Sequence, residues 1–425
     1  MSPGRRLAGR LGLRFALSLA AVWPAVAGAQ TAATHVCILP VVAESVATVA
    51  FRAPLAACDA PTAHFEVTYS GFSADAEAAF RAAVDTWSCL VASPVPIRVE
   101  ARWEALPPTT LGSAGPYLVR DVEGVPLRST WYPGALADAL AGRDTDTRVP
   151  DIDAAFNRQF ADWHLDPATP PAPGDFDLYT VVLHELAHGL GVIGGLAVEG
   201  GVGGVGSGAS SGAYVYDRFS EDEDGMRLLD PRVYPDGSLA LADVLTSGAW
   251  FDGAATRATG GRVRLHTPRP WVDGASYSHF DEETYPGGSA DGLMTPFIRR
   301  GESVQAPGVQ TCAMLADLGW TLSGACAAAV GLVDVPNAGV TIVAAGPNPT
   351  RGVILARVGA AAPQRVRVLL MDALGRAVGV LHDGDVTPGA GVVVRMETAR
   401  LSAGVYVLWA RGDAGDARRI LSVVP

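Results

Sequence analysis

One short stretch constrains this chain more than any other: Val181-Val182-Leu183-His184-Glu185-Leu186-Ala187-His188-Gly189-Leu190-Gly191. Its two histidines stand four residues apart, and on a helix that spacing puts both imidazoles on one face, where they can hold one metal ion. Glu185 is turned one step from the first ligand, so its carboxylate can reach a water in the metal's open position. Leu183, Leu186, Ala187 and Leu190 cover the opposite side and can anchor the helix in a core. The whole chain has only 8 His, and two of them fall in this otherwise hydrophobic run.

A chain of 425 residues has room for two or three domains, and 49% apolar residues with 18% charged ones describe a globular protein. The net charge is −12, and all 32 basic residues are arginine. Such an acidic balance argues against nucleic acid as a partner, because nothing would neutralise the phosphates. The N-terminus reads as an export signal, residues 1–29. Arg5, Arg6, Arg10 and Arg14 precede an apolar run from Phe15 to Ala27, too short to span a membrane, and Ala27-Gly28-Ala29 is a small-x-small cleavage site. No later stretch is apolar enough for a transmembrane segment, so a secreted or cell-surface location is expected.

Export makes disulfides the natural state of the 5 cysteines. Cys312 and Cys326 are the expected pair. Cys37, Cys58 and Cys89 then supply one more bridge and one free thiol. A bridge from Cys37 to Cys58 or Cys89 is the plainer reading; a Cys37 thiolate holding a latent form, as a fourth ligand, is the sharper one.

Residues 30–63 read as an extended lead-in or short pro-segment. His64 to Ser70 alternates like a half-buried strand, and Ser73 caps a helix carrying Phe80, Val84, Trp87 and Val91. Ile97 to Ala101 is a second strand, and strand–helix–strand at this length predicts a parallel pair. Leu136 to Leu140 and Ile152 to Trp163 read as helices. Asp175 is placed to cap the helix of the two histidines. The Gly-rich segment from Gly194 to Gly212 reads as a flexible surface insertion, with a substrate-facing flap as the alternative. Asp217 to Gly225 is an acidic cluster whose spacing does not match an EF-hand, so a solvated turn is expected; calcium is possible but unsupported. Residues 333–345 read as a linker. Beyond it, Val353–Val358, Val366–Met371, Val392–Met396, Val405–Trp409 and Ile420–Val424 are short alternating runs of an all-β sandwich over 346–425.

Two histidines do not complete a catalytic zinc site, which takes three protein ligands and an open position. Six residues after His188 stands Gly194, which cannot ligate. His279 is the preferred third ligand; His266, Glu199, Asp281 and Glu282 are the other candidates. Tyr277 and His266 are candidate donors to a developing oxyanion.

His184-Glu185-x-x-His188-x-x-Gly191 with a downstream Met294 in a turn resembles the metzincin zinc peptidases. The displaced Ser278-His279-Phe280-Asp281 resembles their leishmanolysin-like branch, where an insertion separates the helix from the third ligand. Phe80-Arg81-Ala82-Ala83-Val84-Asp85-Thr86-Trp87 and Leu111-Gly112-Ser113-Ala114-Gly115-Pro116 are similar in style to secreted bacterial metalloproteases. That resemblance covers 64–322 and implies that Gly191 turns the chain under the zinc and Met294 floors the site. Pro347-Asn348-Pro349-Thr350, Asp372-Ala373-Leu374-Gly375-Arg376 and Leu401-Ser402-Ala403-Gly404-Val405-Tyr406 resemble the sorting domain that directs cargo to the type IX secretion system, which would make that machinery a partner. The expectation is therefore an α+β metzincin-like zinc protease domain over 64–332, a mixed sheet plus an active-site helix, followed by a small all-β sandwich. Its function would be that of a secreted endopeptidase with one Zn2+ ion on His184, His188 and His279, and with Glu185 as the base for a protein or peptide substrate. The alternative is a surface adhesin or matrix-binding protein on an inactive scaffold.

Overall fold

The computed structural model describes residues 60–206, 210–330 and 340–346, residues 352–423 with short gaps, Cys58, and the backbone of strands Gln30–Ala32 and Cys37–Pro40. The expected signal at 1–29 and the Pro347–Thr350 motif lie outside the described residues.

Five strands form the central sheet: β1 (Cys37–Pro40), β2 (Phe65–Ser70), β3 (Ile97–Glu104), β4 (Thr110–Pro116) and β5 (Ile152–Asn157). Their order is β1-β4-β5-β3-β2. Helix α1 (Ala74–Ser88) connects β2 to β3, and those strands pair in parallel with Phe65 opposite Ile97. Ser73 caps α1 by accepting the Ala76 amide at 3.2 Å. β5 pairs in parallel with β3 and antiparallel with β4, and β1 lies antiparallel on β4 with Cys37 opposite Ala114. The helix expected over Ile152–Trp163 is thus a strand at Ile152–Asn157 followed by irregular chain. A strand buried on both faces loses its alternation, so the spacing of Phe156 and Phe160 imitates a helix there.

Helix α2 (Gly134–Ala141) precedes β5, and the histidine-bearing helix α3 (Leu178–Leu190) follows it. All of α3 is buried, because it packs on the sheet and on α1 at once. The Trp87 indole donates to the Leu183 carbonyl at 3.1 Å and the Trp320 indole to the Leu190 carbonyl at 2.8 Å, tying α3 to two other elements. Contact with β5 is close: a Cβ at Gly189 would sit 2.6 Å from Ile152 Cγ2. Asp177, not Asp175, is the N-cap of α3. Its carboxylate accepts from Thr180 at 2.6 Å, Ser303 at 2.8 Å and Gln305 at 3.1 Å, so it joins the helix start to a distant loop instead of capping an amide.

Two expectations about loops change. Described residues of the Gly-rich segment form a hairpin, Leu196–Glu199 with Val202–Val205, packed on helix α4 (Leu239–Val244). Glycine is needed at 203 because a Cβ would meet the Ala242 amide at 2.5 Å. The acidic cluster is a solvated turn only at its far end, where Glu223, Asp224 and Gly225 are exposed. Asp217 and Glu221 are buried, and Glu221 pairs with Arg262 at 3.0 Å and Arg227 at 3.5 Å. Helices α5 (Ala254–Thr259) and α6 (Gly308–Leu318) complete this region, with both α5 leading amides, Ala255 and Thr256, donating to the buried Asp317.

Cys312–Cys326 forms as expected. The other bridge is Cys58–Cys89, which corrects the pairing of Cys37 with either of them.

The C-terminal region is rich in sheet. Its strands are β6 (Val340–Gly346), β7 (Val353–Ala360), β8 (Gln364–Asp372), β9 (Ala377–Val386), β10 (Val392–Glu397), β11 (Gly404–Gly412) and β12 (Gly415–Val423). They form two antiparallel sheets, β6-β7-β10 and β9-β8-β11-β12, around a shared apolar core that includes Ile342, Val358, Val368, Leu408 and Leu421. β6 begins inside the stretch expected as linker, and β9 carries no clean alternation to announce it. The whole chain is therefore a mixed α+β protein with a sheet-rich C-terminal region. Among the described residues, no helix is long and apolar enough to cross a membrane.

Candidate metal centre

The i, i+4 spacing on α3 brings His184 and His188 Nε2 to 3.0 Å of each other. The third member arrives from far along the chain, with His279 Nε2 lying 3.3 Å from the Nε2 of each helical histidine. All three rings are buried. His266, Glu199, Asp281 and Glu282 do not join the group. Glu199 is at the exposed end of the hairpin, Asp281 holds Thr284 and Glu282 lies 2.6 Å from the Arg299 guanidinium.

The protonation pattern of the rings follows from their other nitrogens. His184 Nδ1 donates to the Leu293 carbonyl and His188 Nδ1 to the Val192 carbonyl, each at 2.6 Å. The His279 ring hydrogen-bonds the Ala275 carbonyl. A neutral imidazole that donates from Nδ1 turns a bare lone pair outward at Nε2. Burial favours the neutral form of two of the rings: it lowers His184 to about 4 and holds His279 well below the ordinary histidine range.

Three lone pairs facing one another, with no donor between them, repel unless a cation lies at their centre. Tetrahedral coordination with metal–nitrogen bonds of about 2.0–2.1 Å places ligand nitrogens roughly 3.3–3.4 Å apart. The two separations of 3.3 Å to His279 match that demand, and the 3.0 Å between the helical pair is somewhat shorter. Next on the helix, Glu185 is fully buried, and among the described residues neither carboxylate oxygen has a hydrogen-bond partner. Burial pushes its carboxyl well above the usual range, and the Ala114 backbone amide opposes this without reaching hydrogen-bond geometry. A buried carboxyl group one residue along the helix from His184 is one that a bound water or ion would satisfy. The group fits a metal ion on its own chemistry.

Gly191 ends α3 at φ 121, a left-handed value suited to glycine, and its amide donates to the Ala187 and His188 carbonyls. Met294 is fully buried in the turn Gly292–Met294, directly after the carbonyl that receives His184. Tyr277 is not placed as an oxyanion donor: its hydroxyl is buried against Asp217 at 2.9 Å and Ser220 at 2.7 Å. His266 sits half-buried beside the group, its amide donating to the His279 carbonyl at 2.8 Å and its ring edge-on to Phe297. The carbonyls of Val192, Ala275 and Leu293 were invisible to sequence reading, because a backbone oxygen has no residue signature. Asp217 had one, its place in the acidic run, but the run argued for solvent.

No family profile and no curated protein matches the sequence. Among solved structures, the chain is similar over 20% of its length to dimeric latent PorU from Porphyromonas gingivalis, with 18% identity and a TM-score of 0.17, and it spans 9% of that chain. A DUF3244-family protein with an immunoglobulin-like β-sandwich fold from Bacteroides vulgatus is similar over 20% of this chain and 97% of its own, at 18% identity and a TM-score of 0.13. The human B7-H4 IgV-like domain is similar over 20% and 93% respectively, at 14% identity and a TM-score of 0.14. Likeness this slight carries no argument about the chemistry of the chain.

Proposed function

We propose that this protein is a secreted zinc-dependent endopeptidase of the metzincin type, exported through its C-terminal sheets as cargo of a type IX secretion system. One observation supports the peptidase reading above the rest: three outward lone pairs lie at 3.0–3.3 Å, and the next residue of the helix is a buried glutamate with no hydrogen-bond partner among the described residues. A bound zinc ion would polarise the scissile carbonyl and acidify a water at its open position. His184, His188 and His279 would hold the ion, and the carbonyls of Leu293, Val192 and Ala275 keep the rings in the ligating tautomer. Glu185 accepts a proton on its carboxylate from the attacking water and passes it to the leaving amine.

All four side chains are buried, so a peptide reaches them only when a covering segment moves. In this reading β1, laid along the edge of β4 with Cys37 opposite Ala114, is such a segment, which fits a pro-segment role for 30–63.

The test is zinc content measured together with casein cleavage for the wild type, Glu185→Gln and His279→Ala. The expected result is zinc and cleavage in the wild type, zinc without cleavage in Glu185→Gln, and much weakened zinc binding without cleavage in His279→Ala. Loss of the base should cost roughly 10²–10⁴-fold in rate. Cleavage retained in Glu185→Gln would overturn the assignment of the base, and a zinc-free wild type would overturn the metal.

A further inference from the structure

The third histidine lies 91 residues beyond the second, and something must hold two remote segments in register. We infer that Asp217 and Tyr277 form a buried clasp that positions His279, so that they are positioning residues of the metal centre. This rests on the reading of His279 as a ligand.

The clasp joins the chain that leaves α3 to the chain that arrives at His279. On the leaving side, the Gly195 amide donates to Asp217 Oδ1 at 3.0 Å, and the Gly194 amide donates to Ser278 Oγ at 3.0 Å. On the arriving side, the Tyr277 hydroxyl donates to the same Asp217 Oδ1 at 2.9 Å. The Tyr214 amide donates to Asp217 Oδ2 at 2.7 Å, so one buried carboxylate gathers three stretches of chain. Tyr277 is itself held by its backbone: its amide donates to the His266 carbonyl at 2.7 Å and its carbonyl accepts from Tyr216 at 3.1 Å. Its φ of 69 is a left-handed value that a tyrosine adopts only when its surroundings impose it.

The same contact accounts for Gly194. A Cβ there would lie 2.1 Å from Tyr277 Cε1 and 3.0 Å from Asp217 Oδ1. The position that cannot ligate is empty of side chain because the tyrosine ring fills that volume, and the ring belongs to the segment that delivers the ligand.

The experiment measures Zn2+ affinity by chelator competition, and the visible spectrum of the Co2+-loaded protein, in the purified full chain. Variants are Tyr277→Phe, Gly194→Ala, His279→Ala and the double variant Tyr277→Phe/His279→Ala. Tyr277→Phe, which keeps the ring, should lose 10–100-fold in affinity, the usual effect of an outer partner of a ligand, and alter the Co2+ spectrum, while metal-free far-UV circular dichroism stays at wild type. Gly194→Ala should lose at least as much. In the His279→Ala background, Tyr277→Phe should cause no further loss, because the clasp acts through that ring. Unchanged affinity in Tyr277→Phe, or an equal loss with His279 absent, overturns the clasp and leaves the metal centre standing. A wild type that binds no metal overturns both.

Discussion

The two halves of the three-histidine group, the proposed metal centre, are built in opposite ways. On helix α3, the spacing of His184 and His188 is set by the helical repeat, and the helix is fixed by burial all round and by indole hydrogen bonds from Trp87 and Trp320. The segment 266–281 has no regular backbone to set its geometry. There His279 is held by the Ala275 carbonyl, by the His266 amide on its own carbonyl and by the neighbouring Tyr277–Asp217 contact. A helix encodes a ligand pair in five residues, whereas a loop ligand needs partners scattered across the chain. The loop half is therefore where substitutions outside the ligands should loosen the metal.

Breaking each half in turn gives the largest effect. His188→Ala and His279→Ala should both reduce Zn2+ affinity by well over ~100-fold, more than an outer partner commands, as read by equilibrium dialysis against a chelator. If His279→Ala kept near wild-type affinity, the two halves would not be equal ligand donors.

A pH series separates the centre from a buried acid in neither half. Burial, with the nearby Asp252 charge adding to it, raises Asp317 to about 7 against the opposing amides of Ala255 and Thr256. The folded chain therefore keeps this proton after the unfolded chain has lost it, so native protein binds more protons between about pH 4 and 7. Stability must fall as pH rises through that window, by up to a few kcal/mol at roughly 1.4 kcal/mol per unit. Urea midpoints of Asp317→Asn across the window should lack this part of the wild-type slope; parallel curves would reject the assignment.

Paired Cys312→Ser/Cys326→Ser substitution should cost about 3 kcal/mol in the urea-derived stability, the loop-closure expectation for a short bridge, with a sequence separation of 14 here. Gly189→Ala should cost about 1–3 kcal/mol by forcing a methyl into Ile152, and because it strains the helix half it should lower the thermal midpoint more than the metal affinity. The reverse order would show that the helix is not held by packing alone. Smallest is Arg269→Ala in the loop half, which removes an exposed pair with Asp243 and should change stability by less than about 1 kcal/mol.

Legibility follows the range of the signal. The strand–helix–strand crossover from Phe65 to Glu104 was readable because each element shows its own period, and a parallel pair needs such a connection. Ile152–Asn157 was misread because a strand covered on both faces keeps no period of two. Glu221 looked solvated in a run of acids, yet Arg227 and Arg262, distant or unremarkable in sequence, pair with it in the interior. The C-terminal strands were readable where they alternate, as in Val353–Ala360, and were missed at Ala377–Val386, where most residues are partly exposed.

By itself the sequence determined the local half of the centre: a helix, two histidines on one face, a glutamate beside them and a glycine to end it. Only the tertiary structure decided that His279, not His266 or an acid, completes the group, that backbone carbonyls set its tautomers, and that Tyr277 fills the space above Gly194. The reason is physical. Helical spacing is a property of consecutive residues, whereas the meeting of positions 91 residues apart depends on the packing of everything between them.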